Sequence, residues 1–330
     1  MKTDEVVNVA DLSALSSYMA GVIDTLLKEQ RYPAVHIYTS TLRSFTAFSE
    51  GKETPMSMQE VFTPGCLKEY ENWMILHGKS LNTVSTYLHT LRAVYNRWMP
   101  PGSPGHNPKL FDGVMTKVVS CTKRALTNEQ MSRLMHTNID QLPDELKNVF
   151  AYFLLMFLFR GMPFIDLAHI RKKDVQGNRI VYRRHKTGKQ MTVYIPKEAL
   201  PLIKEFRDRK SDSVYLFPIL DSNLKGSWYQ YKDYLDALCC FNKSLKRLMR
   251  ILLPGVKVSS YTARHTWATL SFHMGTAPGI ISQALGHSSL HVTETYLKPF
   301  ENAMVDEANR KLISSVRKCK WKGGAINNTL

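Results

Sequence analysis

The chain has 330 residues, too many for one small core and suited to two domains. Its apolar fraction of 44% and aromatic fraction of 10% exclude a disordered chain, while 44 Lys plus Arg against 28 Asp plus Glu leave a net charge of +16 and a pI near 9.6. Such an excess repels itself unless a polyanion relieves it, so nucleic acid is the first partner to consider, with membranes and acidic proteins competing for the same charge.

Five cysteines (Cys66, Cys121, Cys239, Cys240 and Cys319) make no C-x-x-C pair and outline no disulfide framework, which fits a reducing interior. The opening MKTDEVVNVADLSALSS carries acids and lacks the basic-then-apolar plan of a signal peptide. The longest apolar run, VFAYFLLMFLF at Val149–Phe159, is too short for a membrane span and reads as a buried helix. A soluble, cytoplasmic protein with no membrane partner is expected.

In chain order, residues 12–99 read as helical. SYMAGVIDTLLKEQ, IYTSTLRSFTAFSE, TPGCLKEYENWMILHG and LNTVSTYLHTLRAVYNRWM repeat apolar positions at three- and four-residue steps, and glycines and prolines separate them. A four-helix domain over residues 1–105 is the expectation. PPGSPGH at Pro100–His106 marks a boundary, and residues 106–122, ending in TKVVSCTK, read as a basic linker.

A second domain is expected over residues 123–330. Thr127 is placed to cap a first helix, with Glu129 in its opening turn, and the apolar helix through Leu158 follows. GNRIVYRRHKTGKQMTVYIP then changes period: strand-like residues flank Thr187-Gly188-Lys189, a hairpin signal. Helices are expected over 197–210 and 228–253. TARHTWATLSFHMG has Thr262 as its candidate cap, PGIISQALG begins with proline and stops at Gly286, and HVTETYLKPF and ENAMVDEANRKLISSV supply two more helices. The tail KGGAINNTL reads as loose. The fold class is mainly α with a small β-hairpin or sheet.

Several polar residues sit where solubility does not explain them: Arg160 after the apolar helix, Lys186 at the hairpin tip among Arg183, Arg184 and His185, Arg264 and His265 inside a helix, His287 after a helix stop, and Tyr296 within the helix that follows. Two guanidinium groups can clamp one phosphodiester, and the clamp tightens as charge grows on the nonbridging oxygens. A lysine can protonate the leaving oxygen. A phenol becomes a useful nucleophile only when cations and a base surround it. Together these groups form a coherent set for a phosphotyrosyl intermediate, and the set calls for no cofactor and no metal.

Each residue taken alone has a plainer reading. A tyrosine in a helix is most often packing, His265 is most often a locally bonded helix residue, His287 beside Gly286 can close the preceding helix, and Arg160 can answer a helix dipole. His287 and His291 stand four apart, as metal ligands can, but no third ligand has matching spacing. HExxH, Walker A, GxGxxG and GxSxG patterns do not occur.

The motifs ARHTWATL around Arg264, ISQALGHSS around His287 and TETYLKPF with Tyr296 nine residues after His287 resemble the tyrosine recombinase, or phage integrase, family. The hairpin HKTGKQMTVYIP resembles the family's lysine-bearing β-turn and points to Lys186 rather than Lys189. The resemblance runs from about residue 12 to 315. It implies a helical core-binding (SAM-like) domain and a mixed α/β catalytic domain that together clamp DNA. It also implies that Tyr296 attacks the scissile phosphate and forms a 3′-phosphotyrosyl bond. Arg160, Arg264 and His287 would hold the phosphate, and Lys186 would serve as general acid toward the 5′-hydroxyl. The family precedent implies double-stranded DNA with inverted-repeat sites, a tetramer exchanging strands through a Holliday junction, a terminal helix docking on a neighbouring protomer, and an accessory or directionality protein as a further partner.

Two positions depart from the family pattern. Tyr261 stands where the family usually writes histidine, three residues before Arg264, and phenol is a poorer proton shuttle than imidazole at neutral pH. Pro163 stands where the first arginine is expected, and Arg160, three residues earlier, is read as the compensating group, on the argument that residues three apart share a helix face. RGMPFIDL resembles a variant of this box in Bacteroidetes recombinases. Asp166 is read as bracing the region, and His265 as a structural neighbour. Because the resemblance begins so near the first residue, an invertase-like, Xer-like or small-element enzyme is expected. The alternatives are a DNA-binding protein that has lost strand cleavage and a topoisomerase IB-like nicking and closing enzyme.

Overall fold

The computed structural model describes residues 14–50, 56–116, 125–287, 289–297, 306–307 and 309–314. The chain separates into two compact units, residues 1–121 with 225–232, and residues 122–224 with 233–330.

The first unit is helical: α1 (Leu15–Lys28), α2 (Tyr32–Ser49), the single turn α3 (Met58–Val61), α4 (Pro64–Leu76) and α5 (Leu81–Trp98). Short polar side chains set the starts. Ser57 and Glu60 form a reciprocal capping box, Thr63 caps α4 ahead of Pro64, and Ser80 caps α5. The inward stripes close on one core in which Met19, Leu67, Tyr70, Met74, Val84 and Leu88 are completely buried. Burial raises the Tyr70 phenol far above its ordinary pKa, and its hydroxyl instead donates to Ser44 Oγ at 2.9 Å. Residues 106–116 pack on this same core. Leu110 and Phe111 are buried in it, and the backbone N–H of Met115 donates to the buried carboxylate of Glu71 at 2.7 Å. The rest of the expected linker, residues 117–122, lies outside the described residues.

The second unit opens with α6 (Asn128–Met135), α7 (Asp144–Leu158) and α8 (Phe164–His169). Thr127 caps α6 as its sequence suggests, with Gln130 closing a capping box. The apolar run becomes α7, buried from Val149 through Met156. Next come β1 (Val175–Gln176), β2 (Arg179–Arg183) and β3 (Gln190–Tyr194), an antiparallel sheet in the order β1-β2-β3. Ile180 pairs with Val193 and Tyr182 with Met191, which puts apolar side chains of both strands on one face. The turn spans Arg184–Lys189 and needs Gly188 at φ 66°, with the N–H of Gly188 donating to the Arg184 carbonyl.

α9 (Ala199–Phe206) is shorter than expected. Arg207 turns extended, and the N–H of Asp208 donates to the Leu216 carbonyl instead of continuing the helix. α10 (Ser227–Leu252), whose first residues to 232 are grouped with the first unit, is followed by α11 (Thr262–His273), α12 (Pro278–Leu285) and α13 (Leu290–Glu294). Two local expectations are corrected here. Thr262 does not cap α11: Tyr261 occupies that position, and Thr262 Oγ1 accepts the N–H of Ser259 at 2.9 Å. Tyr296 is not inside a helix, because α13 stops at Glu294 and Thr295 ends it. Of the expected terminal helix, residues 306–307 and 309–314 are helical; the remainder lies outside the described residues. Among the described residues, no helix is long and apolar enough to cross a membrane.

Candidate active site

The site is assembled within the second unit from the end of α7, the β2–β3 turn, α11, the α12–α13 turn and the residue pair after α13. Arg264 is its centre. In the first turn of α11 and 2% exposed, it donates from Nη1 to the Gly161 carbonyl at 2.9 Å. Its Nη2 donates to the Leu285 carbonyl at 2.6 Å and lies 3.0 Å from His287 Nε2. A guanidinium can only donate, so His287 Nε2 accepts and the ring's proton sits on Nδ1, facing Thr293 Oγ1 at 2.9 Å. Burial first, then Arg264, Arg184, Lys186 and Lys189 in that order, pull the His287 pKa down to about 4. The imidazole is therefore neutral at physiological pH.

Tyr296 lies against these groups. Its ring stacks on His287 at 5.0 Å between centroids and tilts against His265 at 4.8 Å. The guanidinium carbon of Arg264 is 5.5 Å from its centroid. Thr269 Oγ1 donates to the Tyr296 carbonyl at 3.2 Å, anchoring the backbone after α13 to α11. The phenol is half-buried, with two imidazoles beside its ring and one arginine within cation–π reach.

Two glycines make this approach feasible. Gly161 has φ 67°, and a Cβ there would sit 2.9 Å from the Arg264 Cα. Gly286 has φ 68°, ends α12, and a Cβ there would meet Arg184 Cδ and Met191 Sδ, each at 2.9 Å.

Of the residues singled out by sequence, Arg264, His287, Tyr296 and His265 stand together. Lys186 is exposed on the β2–β3 turn, within electrostatic reach of His287. Tyr261 is 50% exposed at the start of α11. Partial burial, and then the Tyr296 phenol, raise its pKa. Asp166 is 3% exposed; its Oδ1 accepts the N–H of His185 at 2.9 Å, and its Oδ2 faces Arg184 Nε at 3.5 Å. Arg160 is half-buried with φ 59°, and its side chain makes no hydrogen bond or ion pair among the described residues. The helical-face argument linking it to Pro163 is corrected by the backbone. α7 has already ended, Arg160 and Gly161 are both left-handed, and Pro163 is the residue before α8. Arg160 stands next to the carbonyl that Arg264 bonds, so its place in the site rests on that neighbour and not on helical spacing. Among the described residues, no three His, Cys, Asp or Glu side chains gather in metal-binding geometry.

Sequence reasoning assigned no role to Arg184. It is 8% exposed, and Nη1 donates to the carbonyls of Leu285 at 3.0 Å and Gly286 at 2.9 Å. Its signal lies in the strand alternation: Ile180, Tyr182 and Arg184 occupy the same inward face, so a charged residue stands where the period demands a buried one.

The mainly helical two-unit chain thus sets one arginine and two imidazoles against a single tyrosine. The Phage integrase family matches residues 124–302, and the Phage integrase SAM-like domain matches residues 14–102. The chain belongs to the phage integrase family, the tyrosine recombinases, which places it among DNA recombinases. It is 26% identical over 268 residues to tyrosine recombinase XerA of Pyrococcus furiosus, covering 70% of this chain and 88% of that one. Likewise it is 26% identical over 262 residues to a XerC-like tyrosine recombinase of Caldanaerobacter subterraneus, covering 69% of this chain and 64% of that one. Among solved structures, the fold resembles XerH recombinase bound to a palindromic difH substrate in a post-cleavage complex, with a TM-score of 0.62 and 16% identity over 90% of this chain and 94% of that one. It also resembles the Tn1549 transposon integrase in complex with a circular intermediate DNA, with a TM-score of 0.59 and 15% identity over 91% of this chain and 99% of that one.

Proposed function

We propose that this chain is a site-specific recombinase that cuts and rejoins double-stranded DNA through Tyr296. The observation that carries the proposal is the contact of the Tyr296 ring with both Arg264 and His287. The Tyr296 hydroxyl releases its proton to solvent as its oxygen attacks the scissile phosphorus, a phosphotyrosyl bond forms to the 3′ side, and the bond to the 5′ oxygen breaks. Arg264 and Arg160 offset the charge gathering on the nonbridging oxygens, His287 holds the Arg264 donor toward the same group through its Nε2 acceptor, and Lys186 delivers the proton that the departing 5′-hydroxyl needs. Asp166 and His265 keep supporting positions, and Tyr261 offers a hydroxyl where an imidazole would be the stronger shuttle. The reverse attack, by a 5′-hydroxyl from a second duplex, rejoins strands.

The proposal extends to a tetramer on inverted-repeat sites, a Holliday junction intermediate, and inversion, integration or excision according to site orientation. The DNA-bound relatives support DNA as the partner. The Bacteroidetes-type subtype rests on RGMPFIDL alone.

The test is a nicked duplex built from inverted repeats flanking the chain's own coding sequence, which traps the cleaved state. Wild-type protein should form a covalent DNA adduct, and Tyr296→Phe should form none while binding the same duplex. A bound duplex with no adduct from wild type supports a DNA-binding protein without cleavage. Adduct with relaxation but no exchanged strands supports the topoisomerase-like alternative.

A further inference from the structure

We infer that Arg184 is a positioning residue that locks the Leu285–His287 turn, and through it holds His287 in register with Arg264. This inference rests on the proposed function only in its cleavage readout. The geometry is a small closed network. Arg184 Nη1 donates to two consecutive main-chain carbonyls, Leu285 and Gly286, immediately before His287. Arg264 donates to the same Leu285 carbonyl, so one oxygen is shared by two guanidinium groups. Helix-terminal carbonyls have no partner of their own inside the helix, and here two buried arginines supply the donors.

The other side of Arg184 is held too. Its Nε faces Asp166 Oδ2 at 3.5 Å, and Asp166 Oδ1 accepts the N–H of His185. The Asp166 carboxylate therefore bridges the arginine and the backbone leading to Lys186. Gly286 completes the fit, because any larger residue there would collide with the Arg184 side chain. Four elements thus converge on one buried side chain: α8 through Asp166, the β2–β3 turn, the end of α12, and α11 through the shared carbonyl. A guanidinium suits this work better than an ammonium because its donors are fixed in a plane and point at several acceptors at once.

The chemistry that depends on this lock is the His287 hydrogen bond. His287 has to keep Nδ1–H on Thr293 and Nε2 toward Arg264 to hold the Arg264 Nη2 donor in one orientation toward a phosphate. A turn released from Arg184 lets that ring rotate. DNA affinity, which comes from many phosphate contacts, would change little.

The experiment uses the full chain with Arg184→Met, and Arg184→Met/Asp166→Asn as the partner variant that leaves no buried carboxylate unpaired. Two readouts are taken. Imidazole nitrogen shifts of His287, recorded across pH, should show a fixed Nδ1–H form with a midpoint of about 4 in wild type, and an averaged tautomer with a midpoint moved toward the ordinary histidine value in both variants. Single-turnover adduct formation at saturating DNA should fall about tenfold to a hundredfold with DNA affinity kept, Arg184→Lys should restore only part of it, and Arg184→Met should add nothing in a His287→Ala background. Unchanged shifts in the folded double variant, or a full multiplicative loss on top of His287→Ala, would overturn the inference. If wild type forms no adduct, the proposed function fails while the nitrogen shifts still decide the role of Arg184.

Discussion

The cations of the second unit fall into two groups that the fold treats in opposite ways. Arg264 and Arg184 are 2% and 8% exposed and direct their donors at main-chain carbonyls. Lys186 and Lys189 stand exposed on a turn whose nearest fixed feature is a glycine. Buried guanidinium groups with carbonyl partners are placed by folding alone, whereas an exposed ammonium on a turn keeps its rotamer freedom until an anion fixes it. The Arg264 part of the proposed phosphate clamp is accordingly prebuilt, and the Lys186 part is the one that a bound anion would complete.

The largest expected effect breaks the prebuilt half. Arg264→Ala removes the donors to the Gly161 and Leu285 carbonyls together with the partner of His287. Loss of a preorganised transition-state donor costs about 10²–10³-fold in rate, and the buried Gly161 carbonyl left without that donor costs about 1–3 kcal/mol of stability, while the Leu285 carbonyl keeps Arg184. Adduct formation should nearly vanish and the melting temperature should fall. Arg160→Ala, which removes no hydrogen bond or ion pair among the described residues, should match the loss of adduct without the loss of stability. Full cleavage by Arg160→Ala would remove that residue from the clamp.

The exposed half is broken by Lys186→Ala, which should slow cleavage about 10²-fold as general-acid catalysis is lost, while Lys189→Ala should weaken DNA binding with little change in the cleavage step. A substrate with sulfur in place of the 5′-bridging oxygen leaves as a thiolate and needs no proton. That substrate should restore the Lys186→Ala rate. If Lys189→Ala is instead the variant rescued by sulfur, the two lysines exchange roles.

The same contrast explains how much could be read from sequence. α6, α7 and α12 were legible because caps, apolar periodicity and a terminal glycine are local signals. Arg264, His287 and Tyr296 were legible as a motif, since their spacing survives whatever the turns between them do. Arg184 was not, because its partners lie 101 and 102 residues away, and only the inward phase of β2 hints that it is buried. Arg160 was misread in its local geometry. Helical spacing was extended past the end of α7, yet the left-handed pair Arg160-Gly161 turns the chain there, with the Met162 N–H closing on the Met156 carbonyl. Tyr296 was assigned to a helix that stops at Glu294 because the nearest breaker in the stretch, Pro299, stands five residues further on.

Gly161 sharpens the comparison from the packing side. Gly161→Ala forces a left-handed alanine and brings its Cβ to 2.9 Å from the Arg264 backbone. A strained backbone conformation of this kind costs on the order of 1–3 kcal/mol. Urea unfolding should therefore show a lower midpoint, and the displaced α11 should reduce adduct formation even though no polar group has been removed. Unaltered stability would show that the end of α7 yields easily, contrary to a prebuilt clamp.

The smallest expected effect concerns Arg160 itself. Its φ of 59° is a conformation that costs a non-glycine residue about 1 kcal/mol, and its side chain returns no hydrogen bond or ion pair among the described residues. An arginine kept under strain without such a polar partner is in the position of a functional group rather than a structural one. Arg160→Gly should raise stability by about 0.5–1 kcal/mol, the difference between a strained and a permitted left-handed residue, read as a small rightward shift of the urea midpoint with unchanged slope. Arg160→Ala should show no such gain, because alanine carries the same Cβ. A glycine variant no more stable than wild type would mean that Arg160 already recovers its strain through packing of its aliphatic stem. In that case it belongs with Arg264 and Arg184 among the cations that folding alone places.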